Sequence, residues 1–162
     1  MNDVPADAAP HDIRGVLIQI DGARLLLPNT TISEVLSYAD PEPVESAPAW
    51  LLGRTRWRGW EVPLVAFSRA AGLSSSERGG LGSKVAVLKN LRTDGRFPYF
   101  ALLTQGFPRL VNVSADTLLV DAGDGELPTA VHARVRLNQD EALIPDLEAM
   151  AALIEDALNV AA

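Results

Sequence analysis

From Ile13 onward the chain runs as short apolar segments separated by turn residues, the pattern of an all-β barrel or sandwich. Ile13 to Ile20 and Ala23 to Leu27 flank Asp21-Gly22, a two-residue loop suited to a type I′ hairpin turn. Lys84 to Leu91 and Phe97 to Thr104 are joined through Asp94-Gly95, a second hairpin signal. Val131 to Leu137 and Glu141 to Ile144 are separated by Asn138-Gln139-Asp140, a third. Between them, Leu51 to Phe67 makes an apolar entry, a tight Arg58-Gly59 turn and a strand-like run broken by Pro63. Proline cannot donate to a ladder, so that strand is expected at a sheet edge or with a bulge at Pro63.

Two segments have helical character. Thr31-Ile32-Ser33-Glu34 fits a capping box, a hydroxyl residue followed three positions later by glutamate, and predicts a short helix near 32–38. Asp40-Pro41-Glu42-Pro43 would end it. Near the C-terminus, Leu147, Met150, Ala151, Ile154 and Leu158 recur at helical spacing, with Glu148, Glu155 and Asp156 opposite. Asp146, behind Pro145, is the expected cap, and the apolar stripe is expected to pack on the barrel. Residues 1–12 are expected to be a flexible tail, 13–158 the folded domain and 159–162 a C-terminal tail. Ser74 to Ser83 is low in complexity and expected to be a mobile loop, with Asp121 to Glu126 a second loop.

Composition narrows the function. A chain of 162 residues with 48% hydrophobic positions is one domain, or two small lobes on one core. Such a chain buries about 68–70% of its unfolded surface, so it needs no metal or disulfide for stability. The absence of cysteine removes disulfide frameworks, thiol catalysis and Cys-based zinc sites. A net charge of −7 repels phosphate backbones. Arg54, Arg56 and Arg58, spaced by two in a strand-like segment beside Trp57 and Trp60, would be the one row available to a nucleic acid. The acidic, Ala- and Pro-rich start is not a signal peptide, and no apolar stretch approaches a membrane span. A cytoplasmic protein is expected, reaching any membrane only through a partner.

No residue set supports catalysis, a metal or a cofactor. His11 and His132 are the two histidines, and His132 has no Gly-x-Ser-x-Gly elbow to serve. Gly79, Gly80 and Gly82 precede Ser83-Lys84, but Val85 follows the lysine, so the phosphate-loop register fails. Asp121, Asp124 and Glu126 lack the alternating ligands of a calcium loop and read as a solvated acidic turn.

The stretch from Leu51 to Phe67 resembles the signature segment of CheW-like domains, approximately G-x-x-x-L-R-G-x-x-x-P-V-x-D-L. Gly53, Arg58, Gly59 and Pro63 stand at the matching positions, with Trp57 where leucine is usual. The likeness spans roughly 13–155 and includes the opening hairpin, Ser33-Glu34-Val35-Leu36, the prolines before the glycine segment, and Ala142 to Leu147. Three departures stand out: Ala66 for the usual acid, Ser68 for a basic residue, and Leu103 to Leu110 without the usual acidic positions. They suit an accessory member, such as those of twitching-motility chemosensory systems.

The resemblance implies two small five-stranded SH3-like β-barrels side by side, with a hydrophobic groove between them. It implies a non-catalytic adaptor that binds the regulatory domain of a CheA-type histidine kinase and the cytoplasmic tip of a chemoreceptor. Neither nucleic acid nor direct membrane contact is implied. The partner-binding residues would be Glu34, Val35, Leu36, Trp57, Arg58, Gly59, Trp60 and Pro63, with Glu34 and Arg58 forming an ion pair. Residue chemistry alone leaves both tryptophans open between core and interface, and strand alternation would point Trp57 and Arg58 in opposite directions.

Overall fold

The computed structural model describes residues 12–92, 97–121 and 125–161. Eleven strands form two sheets: β1 Ile13–Ile20, β2 Ala23–Pro28, β3 Ile32–Ser37, β4 Leu51–Trp57, β5 Trp60–Val65, β6 Lys84–Lys89, β7 Tyr99–Thr104, β8 Arg109–Val113, β9 Leu118–Asp121, β10 Val131–Leu137 and β11 Asp140–Pro145. One sheet has six strands in the order β8-β1-β2-β11-β10-β9, the other five in the order β3-β6-β7-β5-β4. The first therefore carries one strand more than expected, because β8 pairs along the outer side of β1. A four-residue helix, α1 (Phe67–Ala70), follows β5, and α2 (Leu147–Ala161) ends the chain.

The continuous apolar runs are explained by burial on both strand faces. Val16, Ile18 and Ile20 of β1, Leu25 and Leu27 of β2, Ala86 and Leu88 of β6, and Phe100 and Leu102 of β7 all enter one core between the sheets. Their alternate neighbours fill the separate barrel interiors: Leu17 and Leu26 in one, Val85, Val87, Ala101 and Leu103 in the other. A period of two on strands with both faces covered gives unbroken hydrophobicity. Helix α2 seals the shared core with Leu147, Met150, Ala151, Ile154 and Ala157. Asp146 caps it as expected, its Oδ1 accepting the Ala149 N–H at 3.0 Å. The helix continues to Ala161, beyond residue 158 where a tail was expected.

The largest correction concerns the helix expected near 32–38: Ile32–Ser37 is strand β3 and not a helix. Only a 3-10 turn, Asn29–Thr31, precedes it, with no side-chain cap. β3 pairs antiparallel with β6, from Ile32↔Leu88 to Ser37↔Lys84. The capping box does not form because Glu34 commits its carboxylate elsewhere, and a six-residue segment gains more from a ladder than from two helical turns.

Pro63 is also placed differently. β5 lies inside its sheet, and the register shift falls between Leu51 and Gly53, not at Pro63. Arg54, opposite Pro63, exchanges both backbone hydrogen bonds with Glu42, at 2.8 Å each, so its pair with Pro63 requires no N–H from the proline. On the other side, the parallel pairing with β7 begins only at Leu64.

The β1–β2 turn has two residues as expected, but only Gly22 takes a positive φ, of 82°, so it is not type I′. Asp21 is held from several directions. Its N–H donates to Glu77 Oε2 at 3.1 Å, its carbonyl accepts from Ser68 Oγ at 2.6 Å, and its carboxylate accepts from the Ser74 hydroxyl. Glu77 Oε1 accepts the Ser68 N–H at 2.9 Å. Glu77 is 1% exposed, so the segment expected to be a mobile loop is pinned across both barrels by a buried carboxylate. The Asp94-Gly95 turn lies outside the described residues, although β6 and β7 pair antiparallel from Lys84↔Thr104 to Lys89↔Tyr99.

Burial raises the Glu77 pKa above the ordinary glutamate value; the Asp21 charge adds to this, and the N–H donors of Asp21 and Ser68 only partly oppose it. The folded chain therefore holds this proton more tightly than the unfolded chain. The stabilisation is complete below the ordinary value of 4.5 and is lost as pH rises through the raised folded pKa. In urea titrations, wild-type stability measured against Glu77→Gln should decline from acidic pH toward neutrality. A pH-independent difference would refute this.

Candidate functional site

The predicted residues converge on the β4–β5 turn and on β3, at the opposite end of the strand order. Trp57 and Trp60 are a cross-strand pair closing a two-residue loop, and both loop residues take positive φ: 50° at Arg58 and 83° at Gly59. This is the geometry of a type I′ turn, which strongly favours glycine at the second position and tolerates arginine at a cost at the first. Gly53 is required for a different reason: a Cβ there would sit 2.3 Å from the Glu42 carbonyl oxygen. The glycine admits the Glu42 backbone against Arg54, at the register shift between Leu51 and Gly53.

The turn reverses one expectation. Arg58 does not point away from Trp57, because left-handed backbone brings its side chain round until Cζ lies 4.9 Å from the Trp57 ring centroid. Both residues then meet Glu34 on β3. Glu34 Oε1 accepts from Trp57 Nε1 at 2.8 Å and from Arg58 Nη2 at 3.2 Å. The Glu34–Arg58 pair thus forms, half in solvent, where its net stabilisation is about 0–1 kcal/mol.

The tryptophans separate. Trp57 is 7% exposed and packs with Val62, Leu64, Val85, Val87, Ala101 and Leu103, its ring edge-on to Tyr99 at 4.8 Å. Trp60 is 49% exposed and touches the same Tyr99 at 6.2 Å. Tyr99 comes from β7, and no local signal linked it to the turn. Among the other expected residues, Gly59 is exposed, Val35 and Leu36 are half-buried on β3, and Pro63 is buried. The accessible surface here is therefore Glu34, Arg58, Gly59 and Trp60, supported from beneath by Trp57, Leu36 and Tyr99.

The arginine row is not an open basic patch. Arg56 pairs with Glu61 at 3.7 Å, and Arg58 with Glu34. A second exposed apolar surface lies in the divergent Leu103 to Leu110 segment. Phe107 is 74% exposed beneath Lys84 Nζ, 4.5 Å from its centroid, and Leu110 is 58% exposed. Among the described residues there is no cluster of side chains that could hold a metal, and no helix long and apolar enough to cross a membrane.

The family model for the CheW-like domain matches residues 14–155. Among solved structures, the chain is similar to the scaffolding protein TtCheW from Thermoanaerobacter tengcongensis. They are 14% identical, with a TM-score of 0.69, and the match covers 85% of this chain and 86% of that one. At that identity the likeness is one of fold. No curated protein matches the chain significantly.

The contrast between the neighbours Trp57 and Arg58 is directly measurable by chemical denaturation. Trp57→Ala should cost about 3–5 kcal/mol, because it empties a buried site. Arg58→Ala should cost about 0–1 kcal/mol. Equal losses would mean that the ring is not packed as described. Trp57→Ala is consequently a test of the core, and Trp60 is the tryptophan to truncate when probing the surface.

Proposed function

The chain belongs to the CheW-like domain family, and on that footing we propose that it is a non-catalytic adaptor coupling chemoreceptors to a CheA-type histidine kinase. The family match over residues 14–155 carries this reading. The turn surface supports it: an exposed tryptophan beside an arginine, ringed by polar groups on a rigid hairpin, is the chemistry of a protein-binding hot spot. In this reading the kinase's regulatory domain meets Glu34, Arg58, Gly59 and Trp60, while Val35, Leu36, Trp57 and Pro63 hold that surface in shape. The receptor's helical tip lies in an apolar groove, the mode in which an amphipathic helix inserts its anchors. The protein works in the cytoplasm and joins membrane-associated arrays through these partners.

The finer assignment is to an accessory member acting in a type IV pilus system that controls twitching motility. The departures at Ala66, Ser68 and Leu103 to Leu110 favour it, the last having no acidic residue and carrying the exposed Phe107 and Leu110. A nucleic-acid role is disfavoured by the net charge of −7 and by the carboxylates already paired with Arg56 and Arg58.

Calorimetry with the regulatory domain of a CheA-type kinase from the same genome tests the proposal. Wild type should bind at micromolar affinity or tighter, and Arg58→Glu and Trp60→Ala should each abolish or sharply weaken binding while remaining folded. A well-folded wild type that does not bind would move the function to a different protein partner.

A further inference from the structure

Glu34 uses one oxygen twice and leaves the other unused. Oε1 accepts from both Trp57 Nε1 and Arg58 Nη2, whereas Oε2 has no partner among the described residues. The side chain is 39% exposed, beside Trp57, the cross-strand partner of Trp60. Of its two donors, Arg58 is itself 69% exposed on a long flexible stem, so alone it would restrain the carboxylate weakly. The indole is different. Trp57 is buried, locked against Tyr99 and packed in the barrel interior, so its N–H is a fixed point. A leucine, usual at this position in the resembling segment, has no donor to offer.

We propose that Trp57 is a positioning residue whose buried indole N–H fixes the Glu34 carboxylate, so that the free Oε2 accepts a hydrogen bond from a donor on the partner. The partner contact at this spot is therefore cationic or amide-bearing, and Trp57 shapes it without touching it. Arg58, held to the same oxygen and lying over the indole face, completes a fixed unit of one carboxylate and one guanidinium. A charge-assisted bond to an already immobilised carboxylate avoids the cost of ordering that side chain on binding. This inference rests on the adaptor reading for its partner, but not for the geometry inside the free protein.

Trp57→Phe tests it, keeping an aromatic ring in the core while removing the N–H. Two readouts separate the possible failures. In the free protein, NMR side-chain couplings should show Glu34 in a single rotamer in wild type and in several in Trp57→Phe. One rotamer in both would overturn the positioning role, whether or not a kinase binds. In calorimetry against the kinase regulatory domain, Trp57→Phe should lose roughly ten-fold in affinity, the scale of one hydrogen bond to a charged group. Added to Glu34→Ala, the same substitution should cost no further affinity. A loss of equal size in the Glu34→Ala background would show that Trp57→Phe acts through general packing and overturn the proposal. If wild type does not bind, the adaptor reading fails and the rotamer measurement alone decides this one.

Discussion

Everything in this structure depends on one apolar core shared by two sheets. β1 and β2 on one side and β6 and β7 on the other each turn alternate residues inward to their own barrel and outward to their neighbour. Neither barrel could present that outer face to water without exposing residues such as Ile18, Leu25, Phe100 and Leu102, all fully buried. The two barrels therefore make one cooperative unit and not two modules on a linker. The chain path enforces the same result: the six-stranded sheet takes its strands from both ends of the sequence, and the five-stranded sheet lies between them in chain order.

A rigid shared core lets the outer ends of the five-stranded sheet be specified closely. Gly53 admits the Glu42 backbone at the register shift in β4, and the positive-φ turn at Arg58-Gly59 brings the arginine back over its tryptophan neighbour. Each step is a backbone constraint, and together they bring two side chains, Trp57 and Arg58, onto one carboxylate oxygen of Glu34 on distant β3. The chemistry at the surface is modest, an exposed aromatic and a half-solvated ion pair. Its precision comes from the buried ring beneath it.

The polar interior follows a related logic. Glu77 has its carboxylate between backbone N–H groups of Asp21 and Ser68, one from each side of the molecule. Burying a charge is costly, and two N–H donors only partly offset that cost. The group nevertheless anchors a glycine- and serine-rich segment that has few apolar side chains to do so.

Much of the fold was legible in the sequence. Three hairpins, the amphipathic terminal helix and its Asp146 cap follow from periodicity and turn chemistry, which act between residues close in the chain. The signature around Gly53, Arg58, Gly59 and Pro63 pointed to the β4–β5 hairpin, and the resemblance it carried named the Glu34–Arg58 pair. Tertiary structure decided the rest. Ile32–Ser37 became a strand because β6 offered a ladder that local capping could not outweigh. Trp57 went inside and Trp60 stayed out, although the two face each other across one turn, because the barrel interior and Tyr99 lie against the first and only partly against the second. Glu77, within a run that reads as a mobile loop, was drawn into the interior by two N–H groups that are 9 and 56 residues away in the chain. Local spacing determines which side chains share a face. What that face meets depends on segments distant in sequence, and only folding brings them together.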